Sequence, residues 1–179
     1  MTGHREDRAL PQLSLHTPIG AITLSEEDGA IVALDWGWGR DQTATPLLLT
    51  ARDWLQRYFD GERLVMRLPV APHGTPYRRR VWEELRRVAW GETLSYRDLG
   101  MRSGGSARSI GGAMANNPIP ILIPCHRVLS TVAGRIAIGG YSGGEGLETK
   151  QFLLDLERRA SAAFLAGPLP APRPIGTTR

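Results

Sequence analysis

The run Ile119-Pro120-Ile121-Leu122-Ile123-Pro124 constrains this chain more than any other stretch of its 179 residues. Its apolar side chains demand burial, while its two prolines break it and bias the residues before them toward extended backbone. We expect a short extended segment that carries the next residue into a sheltered place. That residue is Cys125, the only cysteine, and His126 follows it directly. A lone thiol beside a potential base is a candidate nucleophile.

A thiol reacts as its thiolate, and at an unperturbed pKa of about 8.5 little of it is ionised at neutral pH, so Cys125 needs a proton acceptor. His126 is adjacent, yet consecutive side chains diverge on a helix and alternate faces on a strand. A direct bond between the two therefore has poor geometry, and a bridging water or a sharp turn is required. The imidazole in turn needs a carboxylate to fix its tautomer and stabilise its cation. Glu148, Asp155 and Glu157 are the candidates on the last expected helix. Residue chemistry leaves the choice among them open. The competing reading is a buried, inert cysteine beside a hydrogen-bonded histidine.

One cysteine excludes an internal disulfide, and the scattered His4, His16, His73 and His126 have no metal-ligand spacing. A reducing, cytoplasmic compartment is expected. No stretch approaches the roughly 20 apolar residues of a membrane span, and Met1 to Asp7 is polar, so neither membrane insertion nor secretion is expected. The net charge of +4 is concentrated. Between residues 75 and 110, Arg78, Arg79, Arg80, Arg86, Arg87, Arg97, Arg102 and Arg108 face four acids, which accounts for the whole excess. That segment is either a solvated helix face or the footprint of a polyanion.

With 41% hydrophobic residues the chain suits one or two small domains. Strands are expected at Leu13-His16, Gly20-Leu24 and Ile31-Trp36, with a turn at Glu27-Asp28-Gly29. Thr45-Pro46 starts a helix to about residue 60, Val65-Leu68 suits another strand, and Pro69-Gly74 reads as a linker. Thr75-Pro76 repeats the start signal for a helix over 76–88. Ser95 and Ser106 cap two short helices about Gly104-Gly105, the look of a helix-turn-helix. In the second, Gly111-Gly112 costs about 1 kcal/mol per glycine against alanine, so either a close helix neighbour or an approaching nucleic-acid backbone should compensate. The glycine-rich stretch around Tyr141-Ser142 matches no phosphate-binding loop. Leu147 to Arg159 reads as a closing helix, and the proline-rich residues beyond it as a tail without fixed structure.

Pro124-Cys125-His126-Arg127-Val128 is preceded by Gly111-Gly112-Ala113-Met114 and by Asn117-Pro118-Ile119-Pro120-Ile121-Leu122-Ile123, and is followed by Tyr141-Ser142-Gly143-Gly144. Together these closely resemble the methylated-DNA-protein-cysteine methyltransferases, the 6-O-alkylguanine-DNA alkyltransferases. The resemblance spans about residues 74 to 158, and the earlier elements are similar to that family's N-terminal domain more weakly. It implies an α/β (α+β) fold. A ribonuclease H-like α/β domain would occupy residues 1–69, a linker 70–74, and a mainly helical, helix-turn-helix (winged-helix-like) alkyl-acceptor domain 75–159, with a disordered tail over 160–179.

The function implied is DNA repair. Such a protein flips 6-O-alkylguanine, with 4-O-alkylthymine as a second candidate, out of duplex DNA and moves the alkyl group irreversibly onto Cys125 in one turnover. It needs no cofactor and no metal, and acts as a monomer through the minor groove. By position, His126 matches the water-linked base, Glu157 the carboxylate that orients it, and Asn117 the residue holding the turn before the cysteine. Tyr96 matches the residue that crowds the phosphate and donates to the guanine ring, and Arg108 the one that fills the gap left by the base. Gly111 and Gly112 would approach the minor groove, Tyr141 and Ser142 line the pocket, and Arg127 and Val128 fall in the same substrate- and DNA-facing set. Two spacings depart from the family: Tyr96 to Arg108 is about two residues shorter, and Leu129 to Gly140 about three longer. The alternatives are an alkyltransferase-like damage-binding protein without efficient transfer and, disfavoured by the adjacency of Cys125 and His126, a thiol hydrolase.

Overall fold

The computed structural model describes residues 10–166. Three strands open the chain, β1 (Gln12–Thr17), β2 (Gly20–Glu27) and β3 (Ala30–Trp36), paired antiparallel in sequence order. Asp28 and Gly29, both at positive φ, form the two-residue turn whose twist suits a tight hairpin. One face of this sheet is covered by α1 (Pro46–Phe59), whose Thr45 cap accepts from Leu48 N–H at 3.1 Å. Leu48, Ala51, Leu55 and Tyr58 form the buried stripe of α1, against Leu15, Ile22, Leu24 and Leu34 of the strands. Each such side chain contributes roughly 1.5–3 kcal/mol of burial.

The expected strand at Val65-Leu68 does not form. A single bridge between Val70 and Ile31 replaces it, with Ile31 N–H donating to Pro69 O at 2.9 Å and Ala71 N–H to Ile31 O at 2.9 Å. Pro69 has no donor of its own, which limits this pairing to an edge contact. Leu34 N–H on the same strand donates to Pro118 O at 2.8 Å, so the β3 edge also holds the loop that precedes Cys125.

In the second half, α2 (Pro76–Arg86) packs on α3 (Tyr96–Ser103) and α4 (Ala107–Ala115), and Trp82 Nε1 donates to Ala113 O at 2.9 Å. The turn between α3 and α4 depends on glycine twice. Gly104 caps α3 at φ 73, and a Cβ on Gly105 would lie 1.9 Å from Tyr77 Oη. A small second sheet joins β4 (Leu94–Ser95) parallel to β5 (Val128–Val132), which turns back as β6 (Arg135–Ala137). This hairpin flanks the two helices as the wing of a winged helix, and it occupies most of the stretch between Leu129 and Gly140.

The closing helix, α5 (Leu147–Ala166), continues past the expected end at Arg159, so residues 160–166 are helical. Residues 167–179 of the expected tail lie outside the described residues, as do residues 1–9. The buried side chains of both halves form one continuous core. Among the described residues no helix is long and apolar enough to cross a membrane.

Candidate active site

Cys125, His126 and Arg127 share one 3₁₀ turn, and all three are buried. The apolar run before them is a pair of tight turns, not the extended segment expected. Leu122 N–H donates to Pro120 O at 2.9 Å around Ile121 at φ 72, and Cys125 N–H donates to Ile123 O at 2.8 Å around Pro124 at φ −80, ψ 65. The prolines deny the run an extended ladder, so its amides find acceptors within the run itself, two residues back for Leu122 and Cys125 and four back for Ile123. Left-handed backbone at a β-branched residue costs on the order of 1–3 kcal/mol and persists only where the surroundings impose it. Here burial of Ile121 and the Asn117 side chain impose it: Asn117 Nδ2 donates to Ile123 O at 2.8 Å, and its Oδ1 accepts from Ile119 N–H at 3.1 Å.

Of the three candidate carboxylates, α5 brings only Glu157 to the turn, its Oε1 lying 2.8 Å from His126 Nε2. Glu148 is exposed and Asp155 pairs with Arg158 at 3.6 Å. Glu157 is crowded with donors. Arg127 Nε and Nη2 reach it at 2.9 and 2.8 Å, Tyr58 Oη donates to Oε1 at 2.8 Å, and Gly91 N–H donates to Oε2 at 3.0 Å. Burial alone would raise the Glu157 carboxyl, but the bonds from His126 and Arg127 outweigh it and hold the group well below the usual carboxylate range.

An ionised carboxylate only accepts, which assigns the His126 proton to Nε2. Nδ1 is then a bare lone pair, buried and without a protein hydrogen-bond partner. Burial lowers the His126 pKa more than the Glu157 contact raises it, so the resting ring is neutral. Burial likewise pushes the Cys125 thiol up, with Asn117, Lys150 and Tyr141 opposing it. Side chains on a 3₁₀ turn point about 120° apart, so Cys125 and His126 diverge as the sequence argument required. Lys150 lies fully buried nearby, its Nζ donating to Val128 O at 2.6 Å and to Gly140 O at 3.2 Å, and burial brings it down to about 8.

Cys125 sits on the wall of an open cleft of about 610 Å³ together with Tyr96, Gly111, Met114, Tyr141 and Ser142. The cleft is concave, mostly apolar, and carries a few hydroxyls, the composition of a small-ligand pocket. Two family descriptions match the chain: "6-O-methylguanine DNA methyltransferase, DNA binding domain" over residues 76–159, and its "ribonuclease-like domain" over residues 13–72. The chain belongs to the 6-O-methylguanine DNA methyltransferase family.

Its relatives include the constitutive methylated-DNA--protein-cysteine methyltransferase of Bacillus subtilis, 37% identical over 155 residues, covering 79% of this chain and 92% of that protein. The protein of the same name from Mycolicibacterium paratuberculosis is 36% identical, covering 85% of this chain and 94% of its own. Among solved structures, Mycobacterium tuberculosis OGT in complex with DNA superposes with a TM-score of 0.73 at 33% identity, covering 84% of this chain and 94% of that one.

The family's helix-turn-helix is α3 and α4, and Tyr96 opens α3 at the cleft wall, half-buried. Arg108 is exposed in the first turn of α4, next to Ala107 of the cleft. A Cβ on Gly111 or Gly112 would meet nothing within 4 Å, which removes close helix packing as the reason for these glycines. Arg86 and Arg87 pair with Glu83 and Glu84; Arg78, Arg79, Arg80, Arg97, Arg102 and Arg108 make no ion pair among the described residues.

Arg127 and Val128 depart from the DNA-facing placement expected of them. Both are buried; Arg127 spends its guanidinium on Glu157 and, through Nη1, on Val88 O at 2.6 Å, and the Val128 carbonyl is bound by Lys150. An arginine beside a buried histidine and a distant glutamate gives no sequence signal for this triangle. Tyr58 and Lys150 were also missed. Tyr58 carried the helical period of a core residue, and Lys150 stood in a polar stretch that reads as solvated surface.

Proposed function

We propose that this protein repairs alkylated DNA by accepting an alkyl group irreversibly on Cys125, from 6-O-alkylguanine turned out of the duplex into the cleft. The observation that carries the reading is the arrangement at Cys125: a thiol on the cleft wall, backed by a neutral histidine whose free Nδ1 faces no protein partner and whose Nε2 is fixed by Glu157. Family membership and the likeness to a DNA-bound relative support the same reading.

The step balances without a cofactor. The thiol proton passes through one water to His126 Nδ1, and the Sγ electron pair forms a bond to the alkyl carbon. The carbon–oxygen bond breaks, its electron pair stays on the guanine, and Tyr96 Oη supplies a proton to the ring and regains one from solvent. A thioether has no leaving group at neutral pH, so each molecule acts once. Desolvation keeps the resting thiol protonated, and proton removal by His126 as the alkyl carbon approaches generates the thiolate where it is used.

Base flipping costs a few kcal/mol, offset by DNA contacts and by a side chain filling the gap. Arg108, exposed on α4, takes that role, and the open Gly111-Gly112 surface lets the backbone of the minor groove approach. The unpaired arginines act as phosphate contacts, which position the protein without reading sequence. The protein works as a monomer in the cytoplasm, where a free thiol persists. Arg108→Ala is expected to weaken lesion binding and transfer from duplex while Cys125 still reacts with free 6-O-alkylguanine. Equal losses on both substrates would remove Arg108 from this role.

A further inference from the structure

We propose that Tyr58, contributed by the N-terminal unit, is a positioning residue of the acceptor site: its hydroxyl fixes Glu157 so that His126 keeps its proton on Nε2 and presents Nδ1 toward the thiol. The proposal deepens the alkyl-acceptor reading and rests on it. Tyr58 lies near the end of α1 with 0% exposure, and its hydroxyl donates at 2.8 Å to the carboxylate oxygen that His126 Nε2 meets at 2.8 Å. The same hydroxyl is 3.4 Å from Nε2 itself. The ring cannot turn away. Trp54 stacks on it at 5.5 Å, Phe59 and Trp90 press their edges at 5.3 and 4.8 Å, and Trp90 Nε1 in turn donates to the Glu157 carbonyl at 3.1 Å.

A phenylalanine would fill this aromatic box equally well, so packing does not account for the hydroxyl. Among the described residues its one short hydrogen bond is to Glu157, on a helix of the other unit. The groups facing His126 are Glu157 and Lys150 from α5, Arg127 from its own turn, and Tyr58 from α1. Arg127 already compensates the Glu157 charge. The Tyr58 donor draws further charge from Oε1 and so limits how strongly the carboxylate favours imidazolium, keeping His126 available as a base.

The test is Tyr58→Phe, which retains the ring and its contacts. In the full-length protein, histidine ring NMR is expected to show His126 protonated on Nε2 in wild type. The midpoint of its titration should rise by roughly one to two pH units in the variant, the size of one hydrogen bond to a charged group. The acid limb of the rate of Cys125 alkylation by free 6-O-alkylguanine should move up with it, while affinity for duplex DNA stays unchanged. Replacing residue 58 by 3-fluorotyrosine, a stronger donor, should move the midpoint the opposite way. An unmoved midpoint, a proton on Nδ1 in wild type, or a rate lowered by one factor at every pH would overturn the proposal. The histidine titration needs no alkyl transfer, so it stands apart from the wild-type reaction, whose failure would count against the alkyl-acceptor reading instead.

Discussion

His126 and Glu157 meet at 2.8 Å through Nε2 and Oε1, both fully inside the protein, and the opposite nitrogen of the ring has no protein partner. One end of the imidazole is thus fixed and the other left basic. Such a ring takes a proton from one side only.

Glu157→Gln should disable the site in two ways. It leaves the Arg127 guanidinium buried without a counter-ion, which costs about 3–5 kcal/mol. It also offers His126 an amide in place of a carboxylate, which no longer forces the proton to Nε2. Thermal unfolding should show the destabilisation, and alkylation of Cys125 by free 6-O-alkylguanine should slow at every pH. A variant as stable and as fast as wild type would remove Glu157 from the account.

Asn117→Ala should loosen the turn that presents Cys125. Ile119 N–H loses its acceptor, worth about 1–3 kcal/mol when buried, Ile123 C=O keeps only the Cys125 amide, and Ile121 loses support for its left-handed backbone. Denaturant unfolding should therefore report a loss of about 1–3 kcal/mol or more. The alkylation rate should fall further than that of a variant equally destabilised at the β1–β2 hairpin.

How far the sequence foresaw this site depends on the range of the interactions involved. Helix starts at Thr45-Pro46 and Thr75-Pro76, the Ser95 and Ser106 caps and the Asp28-Gly29 turn are local chemistry, and each lies where the sequence reading put it. The Ile119–Pro124 run was legible as buried but not in shape. Its twin turns depend on Asn117 and on the β3 edge at Leu34, far away in sequence. The ring of donors on Glu157 was hidden for the same reason: Tyr58, Gly91 and the His126-Arg127 turn converge from three distant stretches of the chain. Among the three candidate carboxylates, local pattern could not tell which face of α5 turns inward.

Gly112 separates a packing role from a binding one. Its Cβ position is open and its helical backbone is unstrained, so Gly112→Ala should raise stability by about 0.5–1 kcal/mol. Gly112→Leu should also fold normally and keep its reaction with free alkylated base. On duplex DNA the same leucine should weaken binding, because it stands where the nucleic-acid backbone would approach. Unchanged DNA affinity would place that surface outside the interface.

Acid should destabilise the protein in two stages. His126, ordinarily at 6.5, is lowered on folding, and Glu157, ordinarily at 4.5, is lowered as well. In both windows the unfolded chain binds protons that the folded chain does not, so the contribution of this pair is full above about 6.5 and falls as pH drops below each ordinary value. Urea unfolding followed from pH 7.5 to 4 should trace the decline, and Glu157→Gln should flatten its lower part. A curve independent of pH would contradict the ionisation states assigned to the pair.

The most direct test of the central claim is the mass of the protein after incubation with duplex DNA containing 6-O-methylguanine. The expected result is one added methyl group, about 14 Da, on the peptide containing Cys125, with no further turnover and no adduct in Cys125→Ser, as a covalent acceptor requires. Folded protein that binds the lesion but gains no mass would contradict the account and leave a damage-binding protein in its place.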